Sequence, residues 1–169
     1  RPRASRPGRS DPGWRRVITQ KAKYAFKALL DLCRVKDGEP VQIEDIALRT
    51  GVPRKFLEHI LLALKNSGLI ASRRGRNGGY ILIKDPADIS LGQVLRVIDG
   101  PIAPLPCLSK TAYRRCPDCK SEVDCAIREV FGDIYATTLL MMEGMTLADL
   151  VRSDSRLAER LLEFDAASA

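Results

Sequence analysis

The sequence has little of what enzyme active sites commonly use. It contains a single histidine, His59, and neither a Ser–His–Asp set nor a glycine-rich nucleotide-binding motif. Aromatic residues make up only 5% of the chain, and no apolar run approaches the 18 residues that suggest a membrane-spanning helix. These absences argue against a hydrolase, a nucleotide-dependent enzyme and a membrane protein, and we expect the protein not to be an enzyme.

The sequence also lacks the pattern of an exported protein. The Arg15-Arg16 pair is not followed by an apolar run, which argues against a secretory or twin-arginine signal. We therefore expect a cytoplasmic protein with no membrane partner. In a reducing compartment, clustered cysteines bind metals or do redox chemistry more often than they form structural disulfides. Four of the five cysteines lie within 19 residues: Cys107, Cys116, Cys119 and Cys125.

The charge is unevenly distributed along the 169 residues. The formal net charge is +7, but residues 1–100 carry 20 Lys and Arg against 10 Asp and Glu. Residues 101–169 carry 8 basic against 11 acidic residues. A basic front part joined to an acidic back part predicts a polyanion-binding module with a second unit attached.

The front part has the pattern of a helix-turn-helix. Residues 20–36 place apolar side chains at helical spacing. A short helix over 43–50 is expected to end at Gly51, and Pro53 begins a further helix that ends at Gly68. Two helices joined by a glycine-containing turn of this length indicate a helix-turn-helix. The second of them, which begins at Pro53, is then the recognition helix.

A basic hairpin follows. Residues 69–72 and 80–83 are strand-like, and the segment RRGRNGG between them suits a tight turn. A basic hairpin after a recognition helix is a wing. Ser90 then opens a helix, with the spacing of a capping box, that runs to about Asp99. The expected fold class is therefore mainly α with a small β-wing.

The back part predicts a long helix near 122–143, with Ser121 and Asp124 at its start. Its apolar stripe needs a partner, most simply the same helix of a second chain, so we expect a homodimer. Packing onto the chain's own first helix is the alternative. A short helix is expected to follow from Thr146, and another over 155–164. The stripe comprises Ile127, Val130, Phe131, Ile134, Thr138, Met141 and Met142.

Five segments result from these patterns. The first is a basic arm over residues 1–16, which is expected to be disordered and which either contacts DNA or is an incidental tail. The segments are the arm (1–16), a winged helix-turn-helix DNA-binding domain (17–100), a cysteine-rich cluster-binding loop (101–121), a dimerisation helix region (122–152), and a C-terminal helix and tail (153–169).

Nine side chains are candidates for DNA contact. Those on the recognition helix lie on its solvent face near base edges, where a glutamate can accept from a cytosine amine. Those of the wing and of the first helix can contact phosphate, and the wing can also enter the minor groove. The alternative for each is a solvated surface charge. They are Lys21, Lys23, Tyr24, Arg54, Lys55, Glu58, Arg73, Arg74 and Arg76.

The cysteine segment favours metal chemistry. Four thiolates can hold a 2Fe–2S or 4Fe–4S cluster, or tetrahedral zinc. Zinc sites often use two closely spaced cysteine pairs, and only Cys116–Cys119 has that spacing, so a cluster is favoured. Basic neighbours are expected to lower the thiol pKa values. These neighbours are Lys110, Arg114, Arg115 and Lys120.

Other interpretations of the cysteines remain open. Metal-free thiols that sense oxidation are one. A dithiol redox or cluster-transfer protein is another, although the Cys-Pro-Asp-Cys motif lacks a βαβ context. Cys33 belongs to the apolar face of the first helix and His59 to a polar face, so we expect neither to be a ligand.

Four stretches together carry a family resemblance: ITQKAKYAFKALLDL, FLEHILLALKNSGLI, the wing RRGRNGGYILIKDP and ISLGQVLRVIDG. They resemble the bacterial family of winged-helix regulators that includes the iron–sulfur cluster regulator IscR and the nitric-oxide-sensing repressor NsrR. The resemblance covers about residues 17–152. It implies a dimeric DNA-binding regulator. Several members carry an iron–sulfur cluster on three cysteines between the wing domain and the dimerisation helix, and others carry none.

The cysteine spacing departs from that family. Its cluster-binding members space three cysteines evenly, whereas the gaps here hold eight, two and five residues between four cysteines. IscR-type members place a histidine three residues after the last cysteine, and this chain has Arg128 there. A guanidinium has no lone pair to offer iron. Either all four cysteines are ligands, or three are and the fourth ligand comes from elsewhere.

The expected function is a transcription regulator, with repression as the expected direction. Its affinity for a two-fold symmetric operator in double-stranded DNA is controlled by an iron–sulfur cluster or by thiol redox state. The alternative is a metal-free or zinc-bound regulator that responds to another signal.

Overall fold

The computed structural model describes residues 18–35 and 38–154. The basic arm and the helix predicted over 155–164 lie outside these ranges. None of the helices within them is long and apolar enough to span a bilayer. The elements are α1 (Gln20–Cys33), α2 (Ile43–Thr50), α3 (Arg54–Asn66), β1 (Ile70–Arg73), β2 (Gly79–Leu82), α4 (Leu91–Asp99) and α5 (Ala126–Gly144), and residues 147–154 form a further helix, α6.

Helix α1 lies against α3 and α4 and forms one wall of the core. Thr19 caps it, because the Thr19 hydroxyl accepts a hydrogen bond from the Ala22 amide at 3.1 Å. The same hydroxyl donates to the Asp99 carboxylate at 2.6 Å, which joins the start of α1 to the end of α4. Ala22 and Ala25 are fully buried, so α1 approaches its neighbours closely. The predicted helix over 20–36 is confirmed as far as Cys33.

The helix-turn-helix is confirmed with the predicted turn. Helix α2 ends at Gly51, whose φ of 66° is in the left-handed region that favours glycine. Pro53 is the N-cap residue of α3, and the fully buried Leu57 and Leu61 hold α3 against the core. The buried carboxylate of Asp31 on α1 accepts two hydrogen bonds from Arg49 on α2, at 2.7 and 2.8 Å. This bidentate ion pair fixes α2 to α1.

Replacing Asp31 with asparagine is expected to lower the free energy of unfolding by about 2 kcal/mol, within the range for hydrogen bonds to charged groups. The loss stays below that of a fully buried pair, because the Arg49 side chain is 47% exposed. The midpoint of urea unfolding, at unchanged slope, measures the effect. Asp45→Asn on the exposed side of α2 is the control and is expected to stay within about 0.5 kcal/mol. Equal losses of unfolding free energy in the two variants would contradict a stabilising role for the Asp31–Arg49 ion pair.

The wing is an antiparallel hairpin in which Ile70 pairs with Leu82 and Arg73 with Gly79. The strands are each shifted by one residue from the predicted ranges. Two glycines at its turn end cannot carry side chains: a Cβ on Gly78 would lie 2.3 Å from the Arg73 carbonyl oxygen, and one on Gly79 would lie 2.4 Å from that of Val41. Val41 forms a one-residue bridge with Tyr80, which ties the wing to the start of α2.

Helix α5 is joined at its C-terminal end to the winged helix-turn-helix of residues 18–100, the predicted DNA module. The Leu91 amide donates to the Met145 carbonyl and the Leu147 amide to the Ile89 carbonyl, both at 2.9 Å. Leu147 is fully buried in the core. Thr146 and Asp149 exchange hydrogen bonds as a capping box, which confirms the predicted helix start at Thr146.

Glu143 strengthens this junction. Its carboxylate pairs with Arg96 at 2.5 Å and accepts a hydrogen bond from the Ser90 hydroxyl at 2.8 Å. The hydrogen bond from Arg96, followed by that from Ser90, lowers the pKa of Glu143. The contact is therefore present at neutral pH and is lost only as the pH falls through that lowered pKa.

The start of α5 differs from the prediction. The Ser121 hydroxyl does accept a hydrogen bond from the Asp124 amide, but the bond closes a turn, and the helix begins at Ala126 with Cys125 as N-cap. The apolar stripe on α5 faces outward: Ile127 is 62% exposed, Ile134 53% and Met141 63%. Only Met142 packs against the core. The stripe therefore does not pack onto the chain's own first helix.

Candidate DNA-binding surface and cysteine segment

The recognition helix α3 carries its candidate DNA contacts on its exposed face. Arg54 pairs with Glu44 on α2 at 2.6 Å and with Glu58 one turn along α3 at 3.2 Å. All three side chains are more than half exposed. Such pairs contribute about 0–1 kcal/mol, so DNA can replace them. Lys55 makes no ion pair or hydrogen bond with any described residue.

The wing offers three arginines whose guanidinium groups have no protein partner in the described part of the chain. Arg73, Arg74 and Arg76 are exposed, and none forms an ion pair there. The backbone carbonyl of Arg76 accepts a hydrogen bond from the Gln42 side chain at 3.2 Å, which holds the tip beside α2. A polar groove of about 840 Å³ separates the wing from the start of α2. Unpaired cations held in this way suit phosphate contact.

The three candidates on α1 differ in their surroundings. The Lys21 ammonium donates to the Ile98 carbonyl at 3.2 Å, near the C-terminal end of α4. Lys23 is exposed. The Tyr24 ring packs edge-on against Phe56 at a centroid distance of 5.7 Å and so links α1 to α3. Of the three, Lys23 is the side chain most available to DNA.

His59 and Cys33 are the two residues that we expected not to be ligands, and each lies apart from the cysteine segment in the sequence. His59 is exposed on α3. Cys33 is half-buried and packs against the core, and burial, followed by the charge of Asp85, raises the pKa of its thiol to about 11. A thiol protonated at neutral pH suits a packing role.

The cysteine segment brings two of its thiols close together. Cys107 is buried in the 3-10 turn Pro106–Leu108, 7% exposed. The half-buried Cys116 lies near it, since Cys107 is, after burial, among the groups that raise the pKa of the Cys116 thiol. The Cys119 amide donates to the Cys116 carbonyl at 3.2 Å, which closes a turn over the Cys-Pro-Asp-Cys motif. Cys125 is the N-cap of α5 and is not among the groups that perturb Cys116.

The expectation that basic neighbours lower the thiol pKa values is wrong for Cys116. Burial raises its pKa, followed by contributions from Cys107, Asp118 and Cys119. Arg115 points elsewhere and donates to the backbone carbonyls of Cys119 and Lys120, at 3.0 and 3.2 Å. The arginine therefore braces the backbone of the segment instead of facing the sulfur.

The four thiols fit a soft metal centre in donor type but do not converge on one point. Among the described residues, no three His, Cys, Asp or Glu side chains are grouped so as to hold a metal ion. Cys107 and Cys116 are together, with Cys119 in the adjoining turn and Cys125 at the start of α5. Iron–sulfur clusters and zinc both bind such thiolate sets. The chemistry of the donors thus agrees with the expected ligands, and a full centre requires the segment to rearrange.

Comparison with known proteins agrees with this arrangement. The Rrf2 family, described as iron-dependent transcriptional regulators, matches residues 18–153. An rrf2-like helix-turn-helix transcriptional regulator of Rhodobacter capsulatus is 49% identical over 150 residues, covering 87% of this chain and 99% of the relative. The regulator IscR of Photobacterium profundum is 31% identical over 138 residues, covering 82% and 77%.

Solved structures give the same result. CymR, the global cysteine regulator of B. subtilis, superposes with a TM-score of 0.65 at 28% identity, covering 80% of this chain and 96% of that one. IscR of T. potens superposes with a TM-score of 0.62 at 26% identity, covering 84% and 89%. The relatives are transcriptional regulators and not enzymes, which confirms that expectation. With its winged helix-turn-helix, this chain belongs to the Rrf2 family of DNA-binding transcriptional regulators.

Proposed function

We propose that the protein is a homodimeric repressor that reads a two-fold symmetric operator and whose operator affinity is set by its cysteine segment. The observation that carries this proposal is the position of α5. Its C-terminal end is bonded to the DNA module through Leu91 and Met145, and its first turn follows Cys125 directly. Its apolar stripe is open for a second copy. Helix α5 thus connects the thiols of the cysteine segment, the proposed dimer interface and the DNA module.

The DNA contacts are assigned to residues 17–100. The wing arginines and Lys23 supply phosphate contacts, and Arg54, Lys55 and Glu58 supply base contacts on α3. Lys21 and Tyr24 complete the set from the start of α1. A dimer that presents two copies of this surface requires half-sites related by the two-fold axis of the protein.

Arg74→Ala is expected to weaken binding to the operator and to a scrambled duplex by the same factor. It should lower the slope of log affinity against log salt by about 0.9, because one phosphate contact is lost. Arg54→Ala and Glu58→Ala are expected instead to reduce the difference in binding free energy between the operator and the scrambled duplex, by about 1–3 kcal/mol for each base contact. Fluorescence anisotropy over a salt series measures both effects.

Arg152→Ala, at an exposed position of α6, is the control for losing a surface arginine and should leave affinity and slope unchanged. An unchanged slope for Arg74→Ala, together with unchanged discrimination for Arg54→Ala and Glu58→Ala, would contradict this assignment of the DNA surface.

The cysteine segment over 101–121, together with Cys125, is the proposed control element. An iron–sulfur cluster is the preferred occupant, held by Cys107, Cys116, Cys119 and Cys125, and zinc is less favoured. A bound cluster would tie the four cysteines together, and its presence and charge would depend on iron supply and redox state. The description of the family as iron-dependent and the similarity to IscR support the proposal.

The chain's own residues explain why ligation would reach the DNA. Cys107 is the buried residue of a turn that packs beside α5, since Leu108 approaches α5 at Gly132. Cys125 is the N-cap of α5. Joining these two positions fixes the start of α5, while the Glu143 contacts with Arg96 and Ser90 hold its other end. The angle between the DNA module and α5 then depends on the state of the thiols.

A second candidate is a metal-free regulator that responds to thiol oxidation, and the proximity of Cys107 to Cys116 favours it. Protein purified without oxygen distinguishes the two. The cluster form is brown, with visible charge-transfer absorption, iron and acid-labile sulfide. Colourless protein that contains none of these and loses two thiols on oxidation supports the second candidate.

A further inference from the structure

A groove of about 690 Å³ lies between α4, α5 and the segment that joins them. We call it the α4–α5 groove. Its volume is in the range of pockets that hold small molecules. Its apolar lining includes Ile102, Leu108, Ala136 and Leu139, and its polar lining includes Arg96, Lys110, Thr111, Tyr135 and Glu143.

The groove and the apolar stripe lie on opposite sides of α5. Ala136 lines the groove, whereas Ile134 belongs to the stripe. Two residues advance an α-helix by about 200°, so these side chains point in nearly opposite directions. A dimer formed through the stripe therefore leaves the α4–α5 groove open to solvent.

The charges around the groove leave one cation without a partner. Arg96 and Glu143 neutralise each other at 2.5 Å. The Lys110 ammonium, and the hydroxyls of Thr111 and Tyr135, make no hydrogen bond or ion pair with the residues that the structure describes. An apolar lining with one free ammonium and two free hydroxyls suits a small monoanion with an apolar body.

We propose that the α4–α5 groove binds a small organic carboxylate with an apolar body, at a site separate from the four thiols. Lys110 and Thr111 belong to the segment between Cys107 and Cys116, and Tyr135 belongs to α5. A ligand held by all three fixes the segment against α5. Its regulatory consequence, a second input at the same junction, rests on the proposed function, whereas the binding itself does not.

The test uses octanoate and benzoate as probes on the full chain without DNA. Methyl-labelled NMR spectra are expected to show saturable shifts at Ile102, Leu108 and Leu139, with Ile127 and Ile134 unchanged. Calorimetry gives the affinities. Lys110→Ala is expected to weaken octanoate about tenfold through loss of a charged hydrogen bond. Lys120→Ala removes an exposed lysine of the same segment that does not line the groove, and it should have no effect.

Two further arms test shape and charge. Ala136→Trp fills the groove and is expected to abolish binding of both acids. Octanol has the same chain as octanoate without the charge, and it should bind about tenfold more weakly. No saturable binding of either acid, equal binding of octanol and octanoate, or binding that survives both Lys110→Ala and Ala136→Trp would overturn the site.

Operator affinity is measured separately, with and without saturating octanoate. A change of about fivefold or more supports the regulatory input, and equal affinity overturns that input. If the protein binds octanoate at the groove but binds no operator, the proposed function fails and the site stands. If it binds an operator but neither acid, the site fails and the proposed function stands.

Discussion

Ile134→Glu is expected to convert the proposed homodimer into a folded monomer. Ile134 lies in the middle of the exposed stripe of α5 and is 53% exposed in the single chain, so the fold does not depend on its burial. In a symmetric dimer, two unpaired carboxylates would be buried between the helices. An uncompensated buried charge costs about 3–5 kcal/mol, so the dissociation constant should rise by at least about 100-fold. Light scattering at micromolar concentration and far-UV circular dichroism measure assembly and fold.

Ala136→Glu is the matched control for this result. It places the same charge on the same helix but on the side of the α4–α5 groove, and we expect it to remain dimeric. A dimeric Ile134→Glu variant, or wild-type protein that is monomeric at micromolar concentration, would contradict dimerisation through the stripe.

Cys119→Ser and Cys125→Ser are expected to remove the proposed cluster and to change operator affinity about 5- to 150-fold, the usual size of an allosteric coupling. The reason is positional: Cys125 precedes the first residue of α5, and Cys119 lies in the turn next to Cys116. Both are half-buried and outside the core, so fold and dimer should survive. Visible absorption, iron and sulfide content report the cluster, and anisotropy reports the affinity.

Cys33→Ser is the control, because Cys33 packs against the core away from the segment. It should retain its cluster. Cys107→Ser and Cys116→Ser distinguish four ligands from three: both should lose the cluster if all four thiols bind. A full cluster in Cys119→Ser and in Cys125→Ser would remove these two residues from the ligand set.

The elements that the sequence predicted well are those with local signals. Gly51 and Pro53 separate α2 from α3 because each suits one backbone geometry. The left-handed φ of Gly51 matches the expectation, whereas Pro53 is the N-cap residue, one position before the first residue of the helix that it was expected to begin. The wing follows from the turn segment RRGRNGG, and the structure leaves no room for a Cβ at Gly78 or Gly79. The start of α5 was misplaced because a serine three residues before an aspartate also closes an isolated turn. Glu122, bonded to Tyr113 and Arg128, instead holds that turn in the loop.

The candidate sites depend on contacts that are distant in sequence. Exposure of the wing arginines follows from the hairpin, but the pairing of Arg54 with Glu44 arises only where α2 approaches α3. The direction of Arg115 decides whether it lowers a thiol pKa, and its place beside Cys116 in the sequence does not reveal that direction. The junction of Glu143 with Arg96 and Ser90 likewise joins residues about fifty apart, with no signal in either segment.

One comparison tests control by the cysteine segment most directly. Wild-type protein is prepared without oxygen and divided into two samples, and any cluster is removed from one of them. Each sample is then titrated against the same operator at one salt concentration. We predict operator affinities that differ by about 5- to 150-fold, with both samples dimeric and equally folded. Equal affinities would contradict control by the cysteine segment and would leave any bound cluster a structural role only.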